Sequence, residues 1–270
     1  MDRFNSLFDS QFVYALGWTI VHSFWQSLLV FMLLGLCLLV SQRARPETRY
    51  WLSVAALICC LIISIKTFVY CYQDVVQASQ LLAQLQTTLH ISQFQGLWVT
   101  TFKTINPWLD TIVLLLCVGF IIQGLRYAYD IVRTHNLKRQ SVSDLPSDWN
   151  KRLQGLALKL GVTKTVFFKH STKINVPSVI GHFKPIILLP LGILTQLPQA
   201  QIEAIVLHEL AHVKRHDYLI NIVLCLIKVL FFFNPLVLAI SKKISIEREN
   251  ICDDLAVKAC GDALTFANSL

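Results

Sequence analysis

The chain has 270 residues, of which 54% are hydrophobic and only 15% charged, so its composition excludes an ordinary soluble domain. The formal net charge is +8, but no basic stripe is interleaved with aromatic residues, which argues against direct nucleic-acid binding. Five of the eight cysteines lie inside apolar runs. They are typical of small hydrophobic residues rather than of a disulfide framework.

Three long apolar runs in the first half predict membrane-spanning helices. Residues 16–40 and 50–65 contain no charged residue, and residues 108–125 contain only Asp110. Each run, with its flanks, approaches the roughly 20 residues that cross the hydrocarbon core of a bilayer. The first run is not expected to be a cleaved signal peptide, because acidic residues precede it and no cleavage site follows. The three spans are predicted at about residues 13–40, 50–72 and 108–127.

Basic residues predict how these spans are oriented. Residues 41–49 carry three arginines, whereas residues 73–106 contain Lys103 as their only Lys or Arg. The positive-inside rule therefore places the N-terminus and residues 73–106 outside. Residues 126–217 hold 13 of the 24 Lys and Arg residues, so they are expected to face the cytoplasm and its anionic lipid headgroups. Leucine spacing predicts that residues 73–106 form one amphipathic helix on the outer face.

The composition becomes mixed after residue 130, which predicts a membrane region over 1–130 and a second domain over 131–270. Residues 133–146 are a predicted polar linker, and residues 148–160 are a predicted helix that ends at Gly161. Three strands are predicted at residues 165–170, 178–181 and 185–189. An exposed strand edge could hold an extended peptide through main-chain hydrogen bonds, and a purely structural hairpin is the alternative. The candidate peptide-binding residues are Val179, Ile180 and Gly181.

A predicted helix that begins near Pro198 carries the stretch His208-Glu209-Leu210-Ala211-His212. Histidines four residues apart share a helix face, so both rings can bind one metal ion. Glu209 is then placed to act as the general base on a zinc-activated water that attacks a carbonyl. The alternative is a chance match, in which both histidines are merely capped or buried.

A catalytic zinc site usually has three protein ligands. His216 is a poor third ligand, because on a straight helix it lies about 12 Å along the axis from His208. Glu249 and Asp253 share a predicted helix face, so Glu249 can bind the metal while Asp253 orients a histidine. The other acidic residues of that stretch are expected to face solvent: Glu247 and Asp254.

Glu249 can reach the histidines only if the intervening chain stays on one side of the membrane. Residues 218–240 are apolar enough to suggest a fourth span, but Asn234-Pro235 in their middle is a strong turn signal. Each half is also too short to cross the bilayer. We therefore expect a helical hairpin over residues 218–246 that dips into the bilayer and returns to the same face.

Nearly the whole chain resembles the BlaR/MecR-type membrane metallopeptidases, which include the β-lactam-sensing antirepressors. The stretches that carry the resemblance are His22 to Gln26, Arg49-Tyr50, Pro177 to Pro185, Leu188 to Pro190, His208 to Asp217, Asn234-Pro235 and Glu249 to Asp253. The resemblance implies a cytoplasmic α+β peptidase domain of the gluzincin type. It implies one zinc ion on His208, His212 and Glu249, with Glu209 as general base. It also implies that Asp253 supports the site and that Asp217 ties the end of the zinc helix.

The leading hypothesis is a mainly α, multi-pass protein of the bacterial inner membrane that acts as a zinc endopeptidase at the cytoplasmic face. Its partners would be the bilayer and a protein substrate, by analogy a transcriptional repressor; a homodimer is compatible with the sequence. The alternative is a non-catalytic signal transducer with a structural zinc, whereas a transporter has little support. The candidates for stabilising the reaction's oxyanion are Arg248, His170 and Tyr218.

Antibiotic-sensing members of the family carry a sensor domain after a further span, and this sequence contains neither. We interpret it as either a minimal member or a truncated one, so the sensing role is not transferred from the resemblance.

Overall fold

The structure is a computed structural model that describes residues 10–41, 43–89, 97–139, 142–181, 184–261 and 263–267. Contacts divide the chain into two units. Unit 1 consists of Met1–Gln123 and Lys228–Ile244, and unit 2 consists of Gly124–Ile227 and Ser245–Leu270. Residues 228–244 thus group with the N-terminal helices, although the change in composition near residue 130 predicted that they belong to the second domain.

The first half of the chain forms three long helices: α1 (Ser10–Val40), α2 (Pro46–Leu89) and α3 (Leu97–Arg139). Each contains a stretch long and apolar enough to cross a membrane, which confirms the three predicted hydrophobic helices. Most apolar side chains of these stretches are exposed, as expected of surfaces that face lipid. The span-length stretches are Gln11–Val40, Pro46–Gln77 and Thr111–Arg133.

Residues 73–106 do not form a helix of their own in the described part of the chain. Residues 73–89 continue α2, and residues 97–106 begin α3. The physical reason is that no glycine or proline interrupts the sequence between Lys66 and Leu89, so nothing ends the second helix where its polar part begins.

The predicted break at Asn234-Pro235 is confirmed, because α7 (Asp217–Leu230) ends before it and α8 (Pro235–Cys260) begins at the proline. Asn234 is fully buried in unit 1, and its Oδ1 accepts hydrogen bonds from the first main-chain N–H groups of α8. Its Nδ2 donates to the Ser27 hydroxyl (3.0 Å) and the Ser23 carbonyl (3.3 Å) of α1. One side chain therefore caps α8 and joins it to the first helix.

Helix α3 also approaches this turn closely. A Cβ atom built on Gly119 would lie 2.5 Å from Cζ of Phe232, which belongs to the turn. Only a residue without a side chain allows this contact. The segment predicted as a hairpin contains the two helices on either side of this turn, and the second runs beyond the predicted end at residue 246 to Cys260.

Unit 2 contains a four-stranded sheet in the order β1-β2-β4-β3. Its strands are β1 (Val142–Asp144), β2 (Phe167–Ser171), β3 (Ser178–Ile180) and β4 (Ile186–Pro190). β2 pairs in parallel with β4, and both outer pairings are antiparallel. The three predicted strands are present within one or two residues, whereas β1 lies in the predicted linker and was missed. Its three residues carry too short a pattern to be recognised.

Among the described residues, unit 2 also contains four complete helices, beside the parts of α3, α7 and α8 that belong to it. They are α4 (Ser147–Leu160), α5 (Leu191–Gln196), α6 (Gln199–Arg215) and α9 (Ala263–Ala267). Gly161 ends α4 with a φ of 78°, as predicted from its glycine. One core joins the sheet to α4, α6 and α8, and it includes Leu153, Ile187, Leu189, Ile202, Val206, Leu210 and Cys252. Burial of one face of α6 fixes the orientation of its other face, which carries both histidines.

One prediction about α8 is wrong. Glu247 was expected to face solvent, but it is fully buried, and Asn250 Nδ2 donates a hydrogen bond of 3.3 Å to its Oε2. It shares a helix face with the buried Ile244 and Ile251, three residues before it and four after it, so the fold brings it inward. Asp254, by contrast, is exposed as predicted.

Candidate metal centre

Helix α6 and the turn after it place three side chains of the candidate centre. α6 ends at His216, which adopts a left-handed conformation with a φ of 58°. Glycine is the usual residue in this conformation, but here it is a histidine. Asp217 follows this residue and lies beside His212 of α6. His216 itself is exposed and lies outside the cluster of possible metal ligands.

The structure brings Glu249 to the two histidines. His208 Nε2 and His212 Nε2 are 3.2 Å apart. Glu249 Oε2 lies 3.6 Å from the first of these nitrogens and 3.3 Å from the second. Two imidazole nitrogens and one carboxylate oxygen therefore converge on a single point, which we call the ligand point.

These separations fit a zinc ion. Nitrogen and oxygen ligands at about 2.0–2.2 Å from a tetrahedral zinc lie about 3.3–3.6 Å from one another. The three measured edges, 3.2, 3.3 and 3.6 Å, fall in or next to that range. Imidazole and carboxylate are also ligand types that zinc prefers. The residues present thus suit the metal in both spacing and chemistry.

A carboxylate stands behind each histidine ring. His212 Nδ1 donates a 2.8 Å hydrogen bond to Asp217 Oδ2. His208 Nδ1 lies 2.8 Å from Asp253 Oδ1, although this contact lacks the angle of a full hydrogen bond. In both rings Nδ1 faces a carboxylate while Nε2 faces the ligand point, which is the usual arrangement of metal-binding histidines.

The electrostatics of the cluster favour a positive charge at this point. Burial opposes a charge on His212, but hydrogen bonds with Asp217, Cys252 and Glu249 outweigh burial and raise its pKa to about 12. The two histidines hold the pKa of Glu249 well below its usual range. The carboxylates that favour a positive charge on this ring would also favour a metal cation at the same place.

Glu209 lies half-buried beside the ligands. Burial raises its pKa above the usual value, while His212 and His208 act in the opposite direction. A carboxylate with a raised pKa is a better proton acceptor near neutral pH than an ordinary surface glutamate.

Sequence reasoning missed two neighbours of the centre, Cys252 and Phe266, and named a third, Arg248, as a candidate for stabilising the oxyanion. Cys252 is fully buried, and its Sγ lies 3.3 Å from His212 Nδ1. Burial raises the pKa of this thiol, so it carries its proton at neutral pH. Arg248 Nη2 lies 3.1 Å from Glu249 Oε1, and the Phe266 ring centroid is 6.4 Å from that of His208. The i, i+3 spacing of Glu249 and Cys252 was the one available signal.

The predicted peptide-binding residues lie at an edge of the sheet. In the part of the chain that the structure describes, β3 pairs with β4 and with no other strand. β3 also packs against α6. Ile180 is buried and Val179 packs on the core, while Gly181 has a φ of 100°, which a glycine tolerates. Residues 182 and 183, which follow Gly181, lie outside the described residues.

The candidates for oxyanion stabilisation lie in different places. Arg248 contacts Glu249, as described above. Tyr218 lies in the first turn of α7, and Lys164 Nζ is 5.3 Å from its ring centroid. His170 lies in β2.

The helices and the cluster together define a mainly helical membrane protein with a possible metal site of two histidines and a glutamate. Residues 18–263 match the family model described as BlaR1 peptidase M56. The chain belongs to this family of membrane peptidases.

Curated relatives include the methicillin resistance MecR1 proteins of Staphylococcus aureus and Staphylococcus epidermidis. Each is 30% identical over 145 residues, which are 53% of this chain and 23% of the relative. The regulatory protein BlaR1 of Bacillus licheniformis is 40% identical over 93 residues, which are 34% of this chain and 15% of that protein. The matched part thus spans less than a quarter of the length of each relative.

Proposed function

We propose that this protein is a zinc-dependent endopeptidase of the bacterial inner membrane that hydrolyses a protein substrate at the cytoplasmic face. The observation that carries the proposal is the convergence of His208 Nε2, His212 Nε2 and Glu249 Oε2 within 3.6 Å of one another. Membership of a peptidase family supports the same reaction class.

His208, His212 and Glu249 would hold the metal, with Asp253 and Asp217 orienting the two rings. When bound, zinc lowers the pKa of a coordinated water towards neutrality and polarises the substrate carbonyl. Glu209 is the residue we assign to proton transfer. Its carboxylate accepts a proton from the attacking water and delivers it to the nitrogen of the leaving amine.

We propose that the substrate binds as an extended segment along the edge of β3. The side chains of Val179 and Ile180 pack in the core and do not face a bound peptide. This edge would therefore recognise the main chain of the substrate more than its side chains. Such binding favours flexible segments of a protein substrate over folded ones.

The biological setting we propose is signal transduction. One relative is named a regulatory protein, and two are named methicillin resistance proteins. A transcriptional repressor is therefore the substrate class to test first. A repressor encoded beside this gene would be the first candidate.

The test is Glu209→Ala in the full chain, reconstituted in liposomes. Zinc should remain bound, because the three ligands are unchanged, while cleavage should fall by a factor of about 100 or more. Zinc content is measured by elemental analysis. Cleavage is measured as self-cleavage and as hydrolysis of fluorescently labelled casein.

Glu203→Ala is the matched control, since Glu203 lies on the same helix and pairs with Arg152 rather than with the ligands. It should leave cleavage unchanged. A folded, zinc-loaded Glu209→Ala protein that cleaves at the normal rate would exclude the proposed mechanism. Loss of cleavage with intact signalling in cells would instead favour a transducer with a structural zinc.

A further inference from the structure

A thiol lies next to the candidate metal centre without a place in the mechanism above. Cys252 is fully buried and contacts two groups of the centre. Its Sγ lies 3.3 Å from His212 Nδ1 and donates a 3.4 Å hydrogen bond to Asp217 Oδ2. The thiol thus lies on the side of the imidazole that faces away from Glu249.

Asp217 is the residue through which this thiol can act. Its side chain is 5% exposed, and a carboxylate so buried needs donors to offset the loss of hydration. His212 and Cys252 both donate to Oδ2, and Arg215 Nε lies 3.3 Å from Oδ1. The orientation of the carboxylate is therefore set from three directions.

Helix α8 contributes to both rings and to the ligand point. Glu249, Cys252 and Asp253 occupy one face at spacings of three and four residues. Glu249 reaches the ligand point, Asp253 lies behind His208, and Cys252 reaches the Asp217 carboxylate behind His212. Each histidine is thus held, directly or through Asp217, by the same helix that supplies the third ligand.

An alternative is that Cys252 is itself a metal ligand. The ligand atoms of His212, Asp217 and Cys252 also lie close enough to hold a cation. However, Asp217 already receives three donors, one of them from the guanidinium of Arg215. A cation there would displace two hydrogen bonds and face a like charge across the carboxylate.

We propose that Cys252 is a positioning residue: its thiol fixes the Asp217 carboxylate, which holds the His212 ring with Nε2 directed at Glu249 and His208. This inference rests on the zinc site proposed above. It assigns Cys252 an effect on metal affinity and no part in the proton transfers.

The experiment measures the zinc affinity of the full chain in detergent by competition with a chromophoric chelator. Cys252→Ala removes the donor and should weaken zinc binding about tenfold, the effect of losing a group that orients a ligand. Cys252→Ser keeps a donor and should stay within about threefold of the unchanged protein. Cys260→Ala, on the same helix, should have no effect.

A double-mutant cycle tests the route of the effect. If Cys252 acts through Asp217, Cys252→Ala should cause almost no further loss once Asp217→Ala has removed the carboxylate. Additive losses would show that the thiol acts by another route and would overturn the proposal. If Cys252→Ala does not fold, the serine variant decides, since a tenfold loss with serine also overturns it.

Two further results would contradict the inference. A sulfur-to-metal charge-transfer band in the cobalt-loaded protein, lost in Cys252→Ser, would make the thiol a ligand. Normal zinc affinity in a folded Cys252→Ala protein would remove its role while leaving the zinc site intact. A chain that binds no zinc at all would overturn the proposed function together with this inference.

Discussion

His208 and His212 use their two ring nitrogens for different purposes. Each Nε2 faces the ligand point, and each Nδ1 lies 2.8 Å from a carboxylate oxygen. The partner of His212 is buried, whereas Asp253, the partner of His208, is 36% exposed. Water can therefore replace Asp253 more easily than it can replace Asp217.

Asp253→Ala should weaken zinc binding by about tenfold, because His208 loses the carboxylate that orients its ring. This loss of zinc affinity is at the lower end of the range for residues that orient a metal ligand, because water can take the place of the Asp253 carboxylate at His208 Nδ1. The measurement is the chelator competition described above. Asp254→Ala is the control, because Asp254 is the exposed neighbour on the same helix, and equal losses in both variants would contradict the prediction.

Much of the candidate site followed from spacing alone. The helical period brings His208 to His212 and places Asp253 on the face of Glu249, which the sequence indicates directly. The role of Cys252 could not be predicted in this way. It depends on the rotation of α8 against α6, which the packing of the core sets. The burial of Glu247 was mispredicted for the same reason.

At the scale of elements, the turn between α7 and α8 is held by buried polar contacts in unit 1. Asn234 caps α8 and bonds to Ser23 and Ser27 of α1. Apolar surroundings offer these groups few alternative partners. The dipeptide Asn234-Pro235 predicted the turn, but its partners on α1 lie more than 200 residues earlier and no local pattern marks them.

Asn234→Ala should lower the free energy of unfolding by about 1–3 kcal/mol, because it removes a helix cap and two interhelical hydrogen bonds. Unfolding of the purified protein by SDS in mixed micelles measures the change. Ser53→Ala is the control. The Ser53 hydroxyl bonds to the carbonyl of Arg49 within its own helix, so its loss should cost less than about 0.5 kcal/mol. A stability of Asn234→Ala equal to that of the control would disprove the role of the turn.

Gly119→Ala should also destabilise the protein, by about 1–3 kcal/mol, because the added methyl group forces the Phe232 ring to move. A methyl group added at Gly124, on the same helix, would meet no neighbouring atom of the described residues within 4 Å. Gly124→Ala should therefore be neutral or stabilising, in line with the higher helix propensity of alanine. The same SDS unfolding experiment compares the two variants, and a reversed order of stability would refute the contact.

At the scale of the whole molecule, the three apolar helices and three of the four strands were predictable from the sequence, and the order of the strands in the sheet was not. Hydropathy predicts the spans because a helix that crosses the hydrocarbon core of a bilayer must consist mainly of apolar residues. The order β1-β2-β4-β3 depends on long-range pairing, and β1 is too short to be recognised from its own sequence. Residues 73–89 continue α2 and residues 97–106 begin α3, because polar residues need not end a helix.

The proposed orientation follows from charge alone and can be tested directly. A phosphatase that is active only outside the cytoplasm should be inactive when fused after Ala44 and active when fused after Ser92. The reason is that the arginines of residues 41–49 retain that loop in the cytoplasm. The opposite pattern of activity would place the candidate metal centre outside the cell.

The shared face of Glu249, Cys252 and Asp253 has a consequence for how the centre can be lost. Rotating α8 about its axis by one residue, roughly 100°, would withdraw all three side chains at once. Inserting a single amino acid shortly before Glu249 should therefore be far more damaging than replacing any one of them. The rotation of α8 about its own axis therefore decides whether all three side chains reach the two histidines or none of them does.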